Sequence, residues 1–254
     1  LRARELEYKI QGFTKPILRG YIKRMIKAIL FDFNGVIIDD EPVQMKAYQE
    51  VLKEEGIVLT EEGYLACLGM NDEVFLRTIY ERAGKEVSFE QLPELIEAKT
   101  DKWKGFFDKQ IPLFDGIEDF IKRMETKFTL GLVSMARLPE IDYVLEETGL
   151  KKSFSAIVSA EDVSSIKPEP ECYKKGFRMI DKARTAVGKV PLLRRQCVVI
   201  EDSPPGIIAG KRAGLKTLGV TSTVDAKALR DAGALAVTNN LDDWYHETFN
   251  GVFN

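Results

Sequence analysis

Ala28-Ile29-Leu30-Phe31-Asp32-Phe33-Asn34-Gly35 is an apolar run interrupted by one acid and closed by Asn-Gly. Residues 28–33 read as a buried β-strand that delivers a carboxylate to its C-terminal end. Working outward, residues 129–133, 156–158, 197–200 and 216–220 repeat the short apolar pattern. Helical periodicity occupies the intervals around 116–126, 138–148, 170–182 and 205–213. Strands alternating with helices predict βαβ units, and so an α/β fold: a Rossmann-like, doubly wound parallel sheet covered on both faces.

One interval departs from the alternation. Residues 41–110 carry helical patterns and no convincing strand, with Leu52, Leu65, Leu68, Phe75, Ile79, Leu92 and Leu95 supplying their own apolar faces. The expected division is a basic extension at 1–24, a core made of 25–40 and 112–254, and an inserted helical domain at 41–111. Asp39-Asp40-Glu41-Pro42 and Ile111-Pro112-Leu113-Phe114 read as its two hinges. In the extension, Arg2, Arg4, Lys9, Lys15, Arg19, Lys23 and Arg24 face only Glu5 and Glu7. Met25 reads as the natural start, because it runs directly into the first strand.

Composition narrows the chemistry. The chain has 254 residues, 44% hydrophobic and 30% charged, enough for a sizeable core without disulfides. A net charge of −3 gives no reason to expect nucleic acid or an anionic membrane as partner. No apolar run is long enough to span a bilayer. Three scattered cysteines (Cys67, Cys172, Cys197) lack metal-ligand spacing and suggest a reducing, cytoplasmic setting. The single histidine, His246, lies in a polar C-terminal stretch, so histidine triads and His-rich zinc sites are poor candidates. The chemistry falls to carboxylates, lysine and serine.

Ligands of open α/β sheets bind beyond the C-terminal ends of the strands. Asp32 and Asn34 follow the first strand, Ser134 the second, Lys167 the third, and Glu201-Asp202-Ser203 the fourth. Each has a structural explanation taken alone: Ser134 and Ser203, for instance, suit helix caps. Arriving in order on successive strand ends, they suit Mg²⁺ and a phosphate. Mg²⁺ prefers oxygen ligands and keeps several waters, so Asp32 and Asp202 with a carbonyl are a plausible protein share. Asp32 is placed to attack phosphorus, Ser134 to hydrogen-bond a phosphoryl oxygen, and Lys167 to meet the developing negative charge.

These residues resemble the motifs of the haloacid dehalogenase superfamily. Asp32-Phe33-Asn34-Gly35-Val36-Ile37-Ile38-Asp39 is similar to its first motif, Leu132-Val133-Ser134 to its second and Lys167-Pro168 to its third. Val198 to Gly206, followed by Ala213-Gly214, is similar to the fourth. The helical insertion resembles the mobile cap of the subgroup containing β-phosphoglucomutase and sugar-phosphate phosphatases. The resemblance implies a Mg²⁺-dependent phosphatase acting on a small phosphorylated metabolite through an aspartyl-phosphate. Asp32, Asn34 and Lys167 would be the catalytic positions. Asp32, the main-chain carbonyl of Asn34, and Asp202 with Glu201 beside it would hold the metal. Ser134, Met135, Arg137, Lys167 and Gly69, the last in the cap loop Leu68 to Asp72, would contact substrate. A monomer or weak homodimer is expected.

The departures from that pattern matter. The second acid of the first motif is Asn34 here, and an amide cannot shuttle a proton at neutral pH. Gln44 stands where relatives often have histidine. Asp72 stands where a phosphomutase would carry an arginine for a second phosphate. A slowed phosphatase, a phosphate- and metal-binding regulatory protein and a sugar phosphomutase therefore all enter as readings, with Asp72 weighing against the last.

Overall fold

The computed structural model describes residues 25–107 and 110–253, so the basic segment 1–24 lies outside the described residues. Six strands form one parallel sheet: β1 (Ala28–Phe31), β2 (Thr129–Val133), β3 (Phe154–Val158), β4 (Cys197–Glu201), β5 (Lys216–Val220) and β6 (Ala236–Thr238). Their order is β3-β2-β1-β4-β5-β6. The chain thus winds outward from β1 in both directions, the arrangement that opens a crevice where the order reverses.

Period-two alternation sorts the strand residues between two apolar layers. Ile29, Phe31, Leu130, Leu132, Val198 and Ile200 face one, packed with α5 (Ile117–Glu125) and α6 (Leu138–Glu147). Ala28, Leu30, Val133, Cys197 and Val199 face the other, packed with α7 (Glu171–Ala186) and α8 (Pro204–Arg212). Burial on both faces explains why these strands are apolar throughout rather than alternating. The register is what matters for the site. Phe31 is level with Leu132 on one side and Ile200 on the other, so the residues that follow all three strands emerge together.

Residues 41–107 are helical: α1 (Glu41–Glu54), α2 (Glu61–Leu65), α3 (Asp72–Arg82) and α4 (Gln91–Gly105). Pro42 sits in the first turn of α1, where its missing N–H costs nothing. Thr60 and Asn71 cap α2 and α3 by accepting from Gly63 N and Val74 N. These helices share their own apolar cluster, including Tyr48, Leu52, Phe75, Leu76, Ile79 and Leu95. Ala47, Trp103 and Phe107 instead join the cluster beneath the sheet, so α1 and α4 are packed in both.

Two details differ from the sequence expectation. The first strand stops at Phe31, because Phe33 O accepts the turn bonds of Val36, Ile37 and Ile38. The sixth strand was not anticipated: it has three residues, all half-buried at the sheet edge, and leaves no apolar run to find. Among the described residues no helix is long and apolar enough to cross a membrane.

Candidate active site

Asp32 N donates to Ile200 O at 2.9 Å, the last ladder bond at the top of β1, and this fixes where its carboxylate begins. The chain then turns through Gly35, at φ +73°. A β-carbon there would collide with the Asp202 carboxylate, so only glycine allows the first and fourth strand ends to close on each other. Asp32, Glu201 and Asp202, all buried, offer oxygens within 4.8 Å of one another. Asp32 and Asp202 open with Asn34, Ser134 and Lys167 onto one cavity of about 100 Å³.

Lys167 is the hub of this cluster. Its Nζ lies 2.8 Å from Asp32 Oδ2 and 2.5 Å from Glu201 Oε1. Burial alone would lower its pKa, but the two carboxylates overcome that and hold the ammonium well above its ordinary range. Glu201 is saturated by protein donors. Oε1 accepts from Lys167 and Tyr173, and Oε2 from Asp202 N, Ser203 N and Ser203 Oγ. Burial would raise its pKa, and Lys167 outweighs that, so Glu201 keeps its charge. Gly206 permits this approach, since a β-carbon there would overlap the Glu201 carboxylate.

Asp32 and Asp202 respond oppositely. Burial, and then the charge on Glu201, pushes both carboxyls above the carboxylate range. Thr223 Oγ1 donates to Asp202 Oδ2, and Ser222 Oγ donates to Gly35 O. Two buried acids facing a cavity with a shortage of positive charge fit a hard divalent cation, which supplies that charge and would restore both to the anionic form. Asp32 and Asp202 are the residues present that suit it, whereas the oxygens of Glu201 are already committed to holding Lys167 and the start of α8.

Ser134 is buried and its Oγ accepts from Ala136 N at 3.0 Å, which leaves the hydroxyl proton free at the cavity wall. Met135 and Gly69 also line the cavity. Arg137 does not: its guanidinium is engaged with Glu97 and Glu161 and lies within 3.3 Å of Thr100 Oγ1. His246 begins the helix His246–Val252 and meets Asn250, away from the cavity.

Asn34 Nδ2 donates to both oxygens of Asp40, at 2.9 and 3.0 Å. One N–H serves both of these oxygens, so Oδ1 and the second N–H are left for other partners, and Asn34 lines the cavity. Asp40 is fully buried and also accepts from Gln44 Nε2 and Trp103 Nε1. Burial pushes its pKa up to about 7 despite these donors.

Several cavity residues escaped sequence reasoning. Lys99 Nζ bridges Asp72 Oδ1 at 3.2 Å and Glu140 Oε1 at 3.0 Å, 4.9 Å from the Tyr48 ring centroid. Tyr64 donates to Glu41 at 2.6 Å. Lys99 did leave a trace, since it shares a helix face with Leu92, Leu95 and Trp103, an apolar stripe on which a lysine is out of place. Glu140 likewise stands one turn before Val144 on the buried face of α6.

The chain belongs to the haloacid dehalogenase-like hydrolases, whose family model matches residues 29–220. Among its relatives, a phosphorylated carbohydrates phosphatase of Thermotoga maritima is 28% identical, over 84% of this chain and 94% of that one. Hexitol phosphatase B of Escherichia coli K12 is 29% identical, over 78% and 84% respectively. The fold is shared with a β-phosphoglucomutase of Clostridium difficile, at a TM-score of 0.78 and 22% identity over 91% of this chain and 98% of that one.

Proposed function

We propose that the protein is a Mg²⁺-dependent phosphatase of small phosphomonoesters, sugar or polyol phosphates among them, with Asp32 as nucleophile. The carrying observation is the convergence of Asp32, Asp202, Lys167 and Ser134 on one buried cavity. The relatives' activities, on phosphorylated carbohydrates and hexitols by name, support the same class.

Each side chain has a definable task. An oxygen of Asp32 attacks phosphorus as the ester oxygen departs, giving an aspartyl-phosphate; water then cleaves that bond and regenerates the carboxylate. Lys167 meets the charge on the transferring phosphoryl oxygens, and Glu201 holds it there. Ser134 donates its hydroxyl proton to another of those oxygens. Mg²⁺, held by Asp32, Asp202 and the carbonyl of Asn34, would offset the repulsion between an anionic nucleophile and an anionic ester. Helices α1 to α4 act as a cap that excludes water and selects substrate.

Asn34 sets the rate. Its Oδ1 can orient a hydroxyl or a water, but the amide neither protonates the departing oxygen nor takes a proton from water. General acid–base help is worth about 10²- to 10⁴-fold, so slow turnover follows. The same pairing with Asp40 favours a second reading, a phosphate- and metal-binding regulatory protein.

The test is Mg²⁺-dependent phosphate release from a panel of sugar, polyol and aryl phosphates, with Asp32→Asn alongside. Release that Asp32→Asn abolishes supports the phosphatase. Absence of release, with retained Mg²⁺-dependent phosphate binding, would transfer the assignment to the regulatory protein.

A further inference from the structure

Resting on the phosphatase reading, the cavity wall also says what the organic part of the substrate must carry. Glu140 lines the cavity and is 1% exposed. Its Oε1 accepts from Lys99 Nζ at 3.0 Å and from Thr100 Oγ1 at 2.8 Å, both on α4. Its Oε2 is buried without a hydrogen-bond partner. Leaving such an acceptor unpaired is costly, the more so for a charged group, so folded proteins seldom keep one without a use. Glu140 is the one residue among the described residues that both carries a buried unpartnered side-chain atom and lines this cavity.

The surroundings define the donor. Lys99 is shared between Glu140 and Asp72. Glu41, Asp72 and Glu140 on this wall face Lys99, while the other lining lysine, Lys167, is held by Asp32 and Glu201, which leaves the region negative and unfavourable to a second phosphate or a carboxylate. Gln44 Nε2 is taken by Asp40. The wall is therefore rich in acceptors and poor in donors, the complement of a hydroxylated group.

We propose that Glu140 Oε2 accepts a hydrogen bond from a hydroxyl on the organic part of the substrate, which makes Glu140 the specificity residue for polyhydroxylated monophosphates over bisphosphates and phosphorylated acids. A cavity of about 100 Å³ is smaller than the sites that usually enclose small molecules, about 300–1,000 Å³. Entry requires α4 to leave Glu140. When Lys99 and Thr100 return to Oε1, Oε2 is held toward the bound hydroxyls.

The experiment compares the chain with Glu140→Ala and Glu140→Asp on a hexitol monophosphate and on an aryl phosphate that carries no aliphatic hydroxyl. The expected result is a fall of about 10- to 100-fold in kcat/KM for the hexitol phosphate, carried mainly by KM, against less than about 3-fold for the aryl ester. Glu140→Asp keeps the charge while retracting the oxygens, so the same selective loss should appear in it even where Glu140→Ala folds poorly. Equal losses on both substrates would make Glu140 a structural link between α4 and α6, and no loss on either would remove it from recognition; each overturns the proposal. If the chain releases no phosphate from any ester, the phosphatase reading falls separately. Calorimetric binding with Mg²⁺ then decides: weakened hexitol phosphate with unchanged inorganic phosphate supports the role of Glu140, and parallel weakening of both overturns it.

Discussion

Asn34 and Asp40 form a matched pair, in which an amide N–H is shared between both oxygens of a buried carboxyl group. Replacing Asn34 by aspartate alone would press two carboxyl groups together, so they would share one proton. The exchanged pair, Asn34→Asp with Asp40→Asn, keeps one amide and one carboxylate in contact while moving the acid to the cavity. It is expected to raise turnover by about 10²- to 10⁴-fold, with Asn34→Asp alone giving less; steady-state phosphate release measures both. A second prediction concerns Gly35. Gly35→Ala meets a positive φ and the Asp202 carboxylate together, so it should lose more than about 1 kcal/mol of stability in urea unfolding and lose phosphate release with it.

At the scale of elements, the helical segment depends on a small aromatic centre. Phe75 of α3 stacks on Tyr48 of α1 at 4.0 Å between centroids and meets Tyr64 edge-on at 5.8 Å. Phe75→Ala should cost about 3–5 kcal/mol, read by chemical denaturation, and should raise KM, because Tyr48 and Tyr64 line the cavity. The elements themselves were largely legible in the sequence. Three strand ends announced themselves because β1, β2 and β4, buried throughout, must be apolar runs, so Asp32, Ser134 and Asp202 stood out at their edges. Lys167 lies in a loop well past β3, an outer strand with Ser155 exposed. β6 was not legible, because an edge strand of three half-buried residues needs no such run. Thr223 was missed because the fifth strand end carries only hydroxyls, and its meaning depends on Asp202 lying across from it. Lys99 and Glu140 are 41 positions apart, and their contact exists only once α4 lies against α6. A charged residue on an apolar stripe signals that something must pair with it, without saying what.

For the whole molecule, the buried acids link stability to ions. A cation that binds Asp32 and Asp202 only in the folded state should raise Tm in proportion to RT ln(1 + [L]/Kd). Millimolar Mg²⁺ is therefore expected to raise Tm and a chelator to lower it and stop phosphate release; an unchanged Tm in scanning calorimetry would count against the site. Protons act through Asp40 as well. Burial holds its pKa near 7, against an ordinary 3.8, so the folded state binds this proton more tightly than the unfolded chain. Its contribution is full below about pH 4 and is lost as pH rises through 7. The difference in unfolding free energy between wild type and Asp40→Asn should accordingly move against wild type from pH 4 to 7 and then level off; urea titrations across that range measure it.

The indole of Trp103 is wholly buried, belongs to the same helix as Lys99 and Thr100, and donates to Asp40 at the edge of the active site. The second tryptophan, Trp244, is packed among Phe249 and Phe253 at the far end of the chain. The proposed withdrawal of α4 from Glu140 would therefore carry an intrinsic optical probe with it, and the second indole would serve as a reference. Emission from Trp103 should change when α4 swings, while Trp244 stays constant, so the opening and closing of the enzyme can be timed by light in unlabelled protein.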